Sequence, residues 1–584
     1  MPDSPAKTIR VQAILCALIL PLCALLIHPV AESGINDDFS YTRSALVAAQ
    51  TGHLTYFGWA AAMVGWQIYL GALFIKIFGF SFTAVRASTL LVAMATAFLA
   101  QRTFVRAGLR EWNASIATLA LMLAPLTMAL SFSFMTDVGG LFCVILCLYS
   151  CLRSLQAATL RACIAWIVFA ALSNAVGGTV RQVAWVGTIV MVPSTLWLLR
   201  RRRAVVVAGL AAWVASGFLI LGCTYWFKVQ PYAQPNAGLF GHVDLHILAK
   251  FIVYVARAGL DLPIHLLPIT LMFLPAFPRR NRTAVAAVLL SAVVFSAGFF
   301  ALHHHNHRAK IMLAPYLPNT VGIHGLDDGL FLQGVRPVLL EPPARLVLSV
   351  IVIASILAVV GCLASRRRRL APPTPSPSSL TWHDLGTVLG PFTLAYCALM
   401  APRAAFGGLF DRYLLVLMAI LLLVLTRYYQ ERIRPDLPMA AMALVALLGL
   451  VSVAALHDVF AMYRARVALI AEMRDAGIPA TAIDGGFEYN GWTQIDTAGY
   501  VNTAEIVNPP HAYTPPAHPD ITLPCSPQLW VYFPTIVPRY SLSFDPAACE
   551  GPSRFAPVVY TEWLGPRHVA IYAVKVDPAL ASER

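Results

Sequence analysis

The sequence predicts a polytopic α-helical membrane protein of about thirteen spans with a small C-terminal α/β domain, and three observations predict it. Of 584 residues, 58% are hydrophobic and only 12% charged, with a mean hydropathy of +0.69, far outside the composition of a soluble domain. The apolar stretches are long and rich in Leu, Ala and Val, without the alternation of barrel strands. Beyond about residue 457 that composition stops, and short strand-like runs replace it.

Hydropathy places spans near 11–30, 84–104, 112–131, 136–153, 162–179, 183–199, 204–226, 261–277, 283–302, 346–363, 384–401, 409–427 and 437–456. The first follows Lys7 and Arg10 as a signal peptide would, but without a convincing small-residue cleavage site, so it reads as an uncleaved span. Arginine blocks test the series. Those at 102–110, 153–161, 200–203, 279–282, 366–369 and 427–434 all fall on one side, about 21 Lys and Arg against about 13 in the longer opposite loops. The N-terminus is therefore expected in the cytoplasm and the tail outside, in a cytoplasmic (inner) membrane. The net charge of +14 punctuates apolar segments and forms no basic stripe, which excludes nucleic acid as the partner.

The long segments, 31–83, 228–260, 303–345 and 458–584, lie on the expected external side, and chemistry is expected there. The longest cytoplasmic connection, "RRRRLAPPTPSPSSLTWHD", has the composition of a linker. Domains are set at 1–457 for the membrane part, with its first external loop at 31–83, and at 458–584 for the tail. In the tail a helix over 458–476 ends near Gly477, and strands are expected at "ATAID", "LWVYF", "PVVYTEW" and "HVAIYAVKV". Nine of eleven cysteines lie in or beside spans. Cys525 and Cys549 are alone in the tail, and a disulfide between them is favoured over two free thiols.

Three short stretches carry candidate chemistry. "NDDFSYTR" at 36–43 puts Asp37 and Asp38 just past the first span; Asn36 or Asp37 can cap a helix running to Gly52, which is compatible with a functional carboxylate. "SFSFMTDVGG" sets Asp137 at the mouth of the fourth span, either as part of a Thr136-Asp137 cap or as a group in a polar cavity. "FDRYLLVLMAILLL" opens the twelfth.

This ordered set, within about residues 10–460, resembles the GT-C superfamily of membrane glycosyltransferases, in particular bacterial relatives of the protein O-mannosyltransferases and the lipid A aminoarabinose transferases. The resemblance implies an essential acidic residue in the first external loop, a polyprenyl-phosphate-linked sugar donor and an inverting transfer. Carried over by position, Asp37 or Asp38 is the base, Tyr41 and Arg43 its neighbours, Asp137 a second acidic group, and Arg412 and Tyr413 reach the donor phosphate. The acidic pair is Asp-Asp where several relatives have Asp-Glu, which leaves open which one acts. The tail is not the β-trefoil module of the eukaryotic mannosyltransferases, which leaves the acceptor open among lipid glycan, cell-wall polymer and protein.

The chemistry stands without the family name. A sugar donor outside the cytoplasm must cross on a lipid, so its leaving group is a phosphate at headgroup level. A carboxylate to deprotonate the acceptor and fixed positive charge for the phosphate are then what a catalyst needs. "HHHNHR" at 303–308 puts His303 and His307 four apart, a pair that can share a divalent metal with Asp327 or Asp328, or else form a polar boundary facing anionic groups. Arg86, Arg181, Lys228 and Lys250 read by default as snorkelling cations, and "DGGFEYNGW" at 484–492 as a loop. No Walker loop or Cys-x-x-Cys pair occurs. The rival readings are a transporter or lipid flippase, for which no convincing internal repeat is found, and a silent scaffold of the same fold.

Overall fold

The computed structural model describes residues 5–235, 241–242, 244–305, 313–327, 332–365, 370, 380–515, 525, 527, 529–565 and 567–576. Its helices in chain order are α1 (Pro5–Ile27), α2 (Asp38–Thr51), α3 (Gly65–Phe78), α4 (Phe82–Arg106), α5 (Glu111–Met122), α6 (Pro125–Ser131), α7 (Asp137–Leu155), α8 (Leu160–Gly177), α9 (Val192–Leu198), α10 (Arg203–Val229), α11 (Leu245–Thr270), α12 (Arg282–His305), α13 (Pro342–Ala364), α14 (Trp382–Pro402), α15 (Leu415–Arg432), α16 (Met439–Asp475) and α17 (Phe487–Ala498).

Among the described residues eight helices are long and apolar enough to cross a membrane, and nine if α5 and α6, bent by 67°, make one span. The protein is a multi-span membrane protein. Every predicted span coincides with helix, but several are shorter or broken. Pro125 forces Ala124 into an extended conformation (φ −60°, ψ 140°), which ends α5. Ser452 of α16 donates to the freed Leu123 carbonyl at 2.8 Å, which offsets part of the backbone pairing lost at the break. The segment predicted at 183–199 is divided by a 3₁₀ turn (Gln182–Trp185) and a π-helical turn (Gly187–Met191) before α9. The span predicted at 261–277 belongs to α11, which begins at Leu245 and carries Lys250, Arg257 and Asp261. A π-helical turn (Arg403–Gly407) and a 3₁₀ turn (Asp411–Leu414) separate α14 from α15, so that Asp411 and Arg412 stand at a helix mouth rather than inside a continuous rod.

Packed together are α2, α3, a hairpin of the two-residue strands β1 (Val321–Gly322) and β2 (Gly325–Leu326), and the C-terminal region. That region holds β3 (Ile483–Asp484), β4 (Tyr540–Ser543), β5 (Val558–Glu562) and β6 (Arg567–Lys575) in the order β3-β4-β6-β5, parallel between β3 and β4 and antiparallel elsewhere. "LWVYF" is not a strand: its Trp530–Tyr532 form a 3₁₀ turn, and the polar "YSLS" of β4 takes the place in the sheet. Nor is "DGGFEYNGW" a loop; after Gly486 (φ 90°) it enters α17. Cys525 and Cys549 are joined, with Cα atoms 5.5 Å apart.

The position set as a domain boundary, 457/458, falls inside α16, which continues to Asp475. The C-terminal region also packs directly on the first loop. Phe39 of α2 meets Phe487 edge-on at 5.3 Å, and Trp59 meets Phe487 and Tyr532 at 5.4 and 5.2 Å. Gly491 lies so close to the Phe39 ring that an added Cβ would stand 2.4 Å from it.

Candidate active site

The acidic turn is built from two neighbouring aspartates that face opposite ways. Asn36 takes φ 57°, a left-handed conformation that asparagine tolerates, and its Oδ1 accepts the Asp37 amide at 2.9 Å. Asp37 stands at the N-cap position of α2 but makes no side-chain cap bond. Its Oδ1 instead accepts from the Trp59 indole at 2.9 Å, and its Oδ2 pairs with the Arg412 guanidinium at 3.0 Å. The capping expectation is therefore corrected: the side chain serves a contact across 375 residues of chain rather than its own helix.

Asp38 is 0% exposed. Its Oδ1 accepts the Ile35 amide at 2.6 Å and its Oδ2 the Phe134 amide at 2.9 Å. On the other side Gln67 donates to the Phe134 carbonyl at 2.9 Å. Burial outweighs these donors and the nearby Arg86, pushing the Asp38 carboxyl up to about 7. Asp38 thus ties the first loop to the turn before α7, whereas the Asp37 side chain keeps 17% of its surface open.

That turn delivers Asp137. Thr136 makes no side-chain cap bond, and Asp137 pairs with Arg181 at 2.5 Å while Arg181 also reaches Thr136 Oγ1 at 3.2 Å. The Arg181 guanidinium lies over the Tyr413 ring at 5.1 Å. Tyr41 is buried among Asp37, Arg412, Arg181 and Asp137, and burial with the adjacent Asp37 charge raises its phenol. Asp37, Asp137, Tyr41, Arg412 and Tyr413 of the sequence candidates, with Arg181, therefore converge on one mouth. Asp137 Oδ2 and Arg412 Nε are buried there without a hydrogen-bond partner among the described residues.

Arg412 walls two cavities. One, of only about 10 Å³, is lined by Asp137, Arg181, Tyr396 and the apolar Leu141, Val144 and Leu415. The other, of about 20 Å³, is lined by Asn36, Met135, Thr320, Asp327 and Leu456 among others. The loop above them is pinned by two buried carboxylates: Asp411 Oδ2 accepts the Thr320 and Val321 amides at 2.8 and 2.7 Å, and Asp261 Oδ1 the Tyr316 amide at 2.8 Å.

Three candidates lie elsewhere. Arg43 turns to the C-terminal region, pairing with Asp496 at 2.8 Å and covering the Trp492 ring at 5.1 Å. His303 lies in the last turn of α12 with a side chain outside the described residues, as is all of His307. Among the described residues no group of three His, Cys, Asp or Glu can hold a metal, and Asp327 bonds to Tyr463. Sequence reasoning treated Arg181 and Arg86 as snorkelling cations; the first pairs with Asp137, and the second is buried, donating to the Ala31 and Ser33 carbonyls behind the acidic turn. It also missed Glu488, whose Oε1 accepts the Asn36 amide at 3.1 Å.

No protein-family model matches the chain, and no curated protein matches it. Among solved structures it is similar to ArnT from Cupriavidus metallidurans in the apo state, at 14% identity over 83% of this chain and 84% of that one, TM-score 0.36. It is similar to the same protein bound to undecaprenyl phosphate, at 15% identity over 81% of each chain, TM-score 0.36. It is also similar to the S. cerevisiae protein O-mannosyltransferase Pmt1-Pmt2 complex bound to the sugar donor, at 15% identity and TM-score 0.33, over 39% of this chain and 34% of that one. The chain thus spans about a third of the length of that mannosyltransferase chain. Likenesses this loose assign no role to any residue.

Proposed function

We propose that the chain is a membrane glycosyltransferase that moves a sugar, with inversion, from a polyprenyl-phosphate carrier to a hydroxyl acceptor on the extracytoplasmic face. The observation that carries this reading is the Asp37–Arg412 pair, 3.0 Å apart at a helix mouth and flanked by Asp137, Arg181 and Tyr41. Asp37 takes the proton from the acceptor hydroxyl, whose oxygen forms the new bond to the anomeric carbon. The bond from that carbon to the phosphate oxygen breaks with its electron pair left on the phosphate, where Arg412 and Arg181 offset the growing charge.

The pair also gives an order to the steps. While Arg412 holds Asp37, the carboxylate oxygen faces the guanidinium and not an acceptor hydroxyl. A donor phosphate arriving at the mouth competes with Asp37 for the Arg412 guanidinium. Asp37 is then free to meet the acceptor hydroxyl only when donor is present.

The test is sugar transfer in membrane vesicles from a polyprenyl-phosphate-linked donor. Asp37→Asn should lower turnover by roughly 10²- to 10⁴-fold, the range of a lost general base, with donor KM nearly unchanged. Arg412→Ala should lower turnover and raise donor KM together. Full activity in Asp37→Asn would remove the base assignment, and a wild type that transfers nothing while moving lipid across the bilayer would favour a flippase.

A further inference from the structure

Behind the acidic turn lies a buried cluster that the transfer chemistry does not use. Tyr463 of α16 has its Oη 2.6 Å from Asp327 Oδ2 and 2.7 Å from Glu488 Oε1. A phenol carries one proton, so it can donate to only one of the two oxygens. The other contact is favourable only if that carboxyl is itself protonated and donates to the phenol oxygen. Tyr463, Asp327 and Glu488 are 0%, 6% and 2% exposed, so no solvent relieves two carboxylates crowded on one hydroxyl.

The surroundings decide which acid holds the proton. Glu488 Oε2 pairs with Arg466 at 2.9 Å, and its Oε1 accepts the Asn36 amide at 3.1 Å, both favouring the carboxylate. No guanidinium pairs with the Asp327 carboxyl among the described residues. Arg336 donates to the Asp327 and Leu326 backbone carbonyls instead. Burial and the facing Glu488 raise Asp327 well above the ordinary carboxylate range. Also near the cluster are Asp38, with Arg86 beside it, and Arg412, which lines a cavity together with Asp327. Arg466 also donates to Ser33 Oγ at 2.7 Å, so the cluster grips the first loop at residues 33 and 36.

We propose that Asp327, Tyr463 and Glu488 hold one extra proton in the chain acid, phenol, carboxylate, and that this proton positions the Asn36–Asp37 turn for the transfer proposed above. Glu488 keeps its grip on the Asn36 amide only while Tyr463 donates to it, and Tyr463 donates to it only while Asp327 is protonated. As pH rises and Asp327 loses its proton, two carboxylates compete for one phenol, the turn loosens and turnover falls. These three are positioning residues. The inference rests on the proposed activity only for its kinetic arm.

Infrared difference spectra of the purified chain against pH read the carbonyl stretch of a protonated carboxylic acid and need no turnover. Asp38 contributes a band of its own, so the readout is wild type minus Asp327→Asn. A difference band should be present at neutral pH, bleach as pH rises, and shift in frequency in Tyr463→Phe; no difference band at any pH overturns the shared proton. In the transfer assay Asp327→Asn keeps a neutral donor to the phenol. It should retain turnover within about threefold and lose the alkaline decline, whereas Asp327→Ala should fall about tenfold or more with donor KM unchanged, the effect of one unsatisfied buried partner. Equal losses in the Asn and Ala variants, or an alkaline limb retained in Asp327→Asn, overturn the positioning role. A wild type that transfers no sugar sinks the proposed function and leaves the infrared result to decide the proton.

Discussion

Adjacent aspartates differ here only in what surrounds them, and that difference predicts separable defects. Asp38 accepts two backbone amides in a fully buried site and is pushed up to about 7, against about 3.9 in an unfolded chain. Between these values the folded state binds the proton and the unfolded state does not. Stability is therefore greatest below about pH 4, falls as pH rises through the interval, and the contribution is gone above about pH 7, a change on the order of a few kcal/mol. Asp38→Asn brings an amide against two N–H donors, so one bond is lost at a cost of about 1–3 kcal/mol. Melting temperatures in detergent should show the variant below the wild type at pH 5, with the gap closing toward pH 8 and the variant's own slope reduced. A constant gap across that range would show that Asp38 does not titrate there. Asp37→Asn, with a partly open side chain, should leave the melting temperature nearly unchanged.

How much of this was legible in the sequence follows from the range of the forces involved. The acidic pair and Asp137 were visible because each breaks an apolar run at a span mouth, a local signal, whereas Arg412 was named only through the family resemblance. Arg181 was equally near a mouth, but its partner stands 44 residues away and a lone cation has a cheaper default reading. Glu488 was invisible, since "DGG" reads as a turn and the acid's partners lie 452 residues upstream and on α16. Arg43 was misplaced by its nearness in sequence: six residues past Asp37 on a helix, it faces α17 instead of the mouth.

At the scale of elements, breaks and close contacts place the site more than helix count does. The span at 112–131 was legible as apolar chain, while its 67° bend came from a single proline, with Ser452 of another helix supplying the missing donor. The contact of α17 with α2 is similarly specific. Because a Cβ on Gly491 would meet Phe39 Cε2 at 2.4 Å and Cζ at 2.5 Å, Gly491→Ala must push Phe39, and with it the turn that carries Asp37. Overpacking of this kind costs about 1–3 kcal/mol. Gly222→Ala is the control, a helical glycine with nothing within 4 Å of the added atom. Thermal unfolding should report a loss for the first and little change for the second. Turnover of Gly491→Ala should drop further than its stability alone explains, and equal behaviour of the two variants would mean the α2–α17 contact does not set the turn.

For the whole molecule the question is whether residues beyond α16 form an appended module or part of the catalytic body. An appended acceptor-binding module predicts that its removal abolishes transfer but spares hydrolysis of the donor, since base and phosphate site would remain. The contacts argue otherwise. The Asn36 amide is held by Glu488, Phe39 is packed by Phe487 and Gly491, and Trp59, which holds Asp37, rests on Phe487 and Tyr532. The chain also crosses between the parts at Val501, whose amide donates to Phe57 O at 2.8 Å, and at Tyr232, whose amide donates to Asn508 O. A chain ending after Asp475 should therefore insert its spans yet lose transfer and donor hydrolysis together, because Asp37 is no longer held at Arg412. Release of free sugar from a polyprenyl-phosphate donor by the shortened chain measures this directly. Hydrolysis at the wild-type rate would return the tail to the role of a separate module, whereas its loss, with the spans still inserted and protease-resistant, places the base under the control of the C-terminal region.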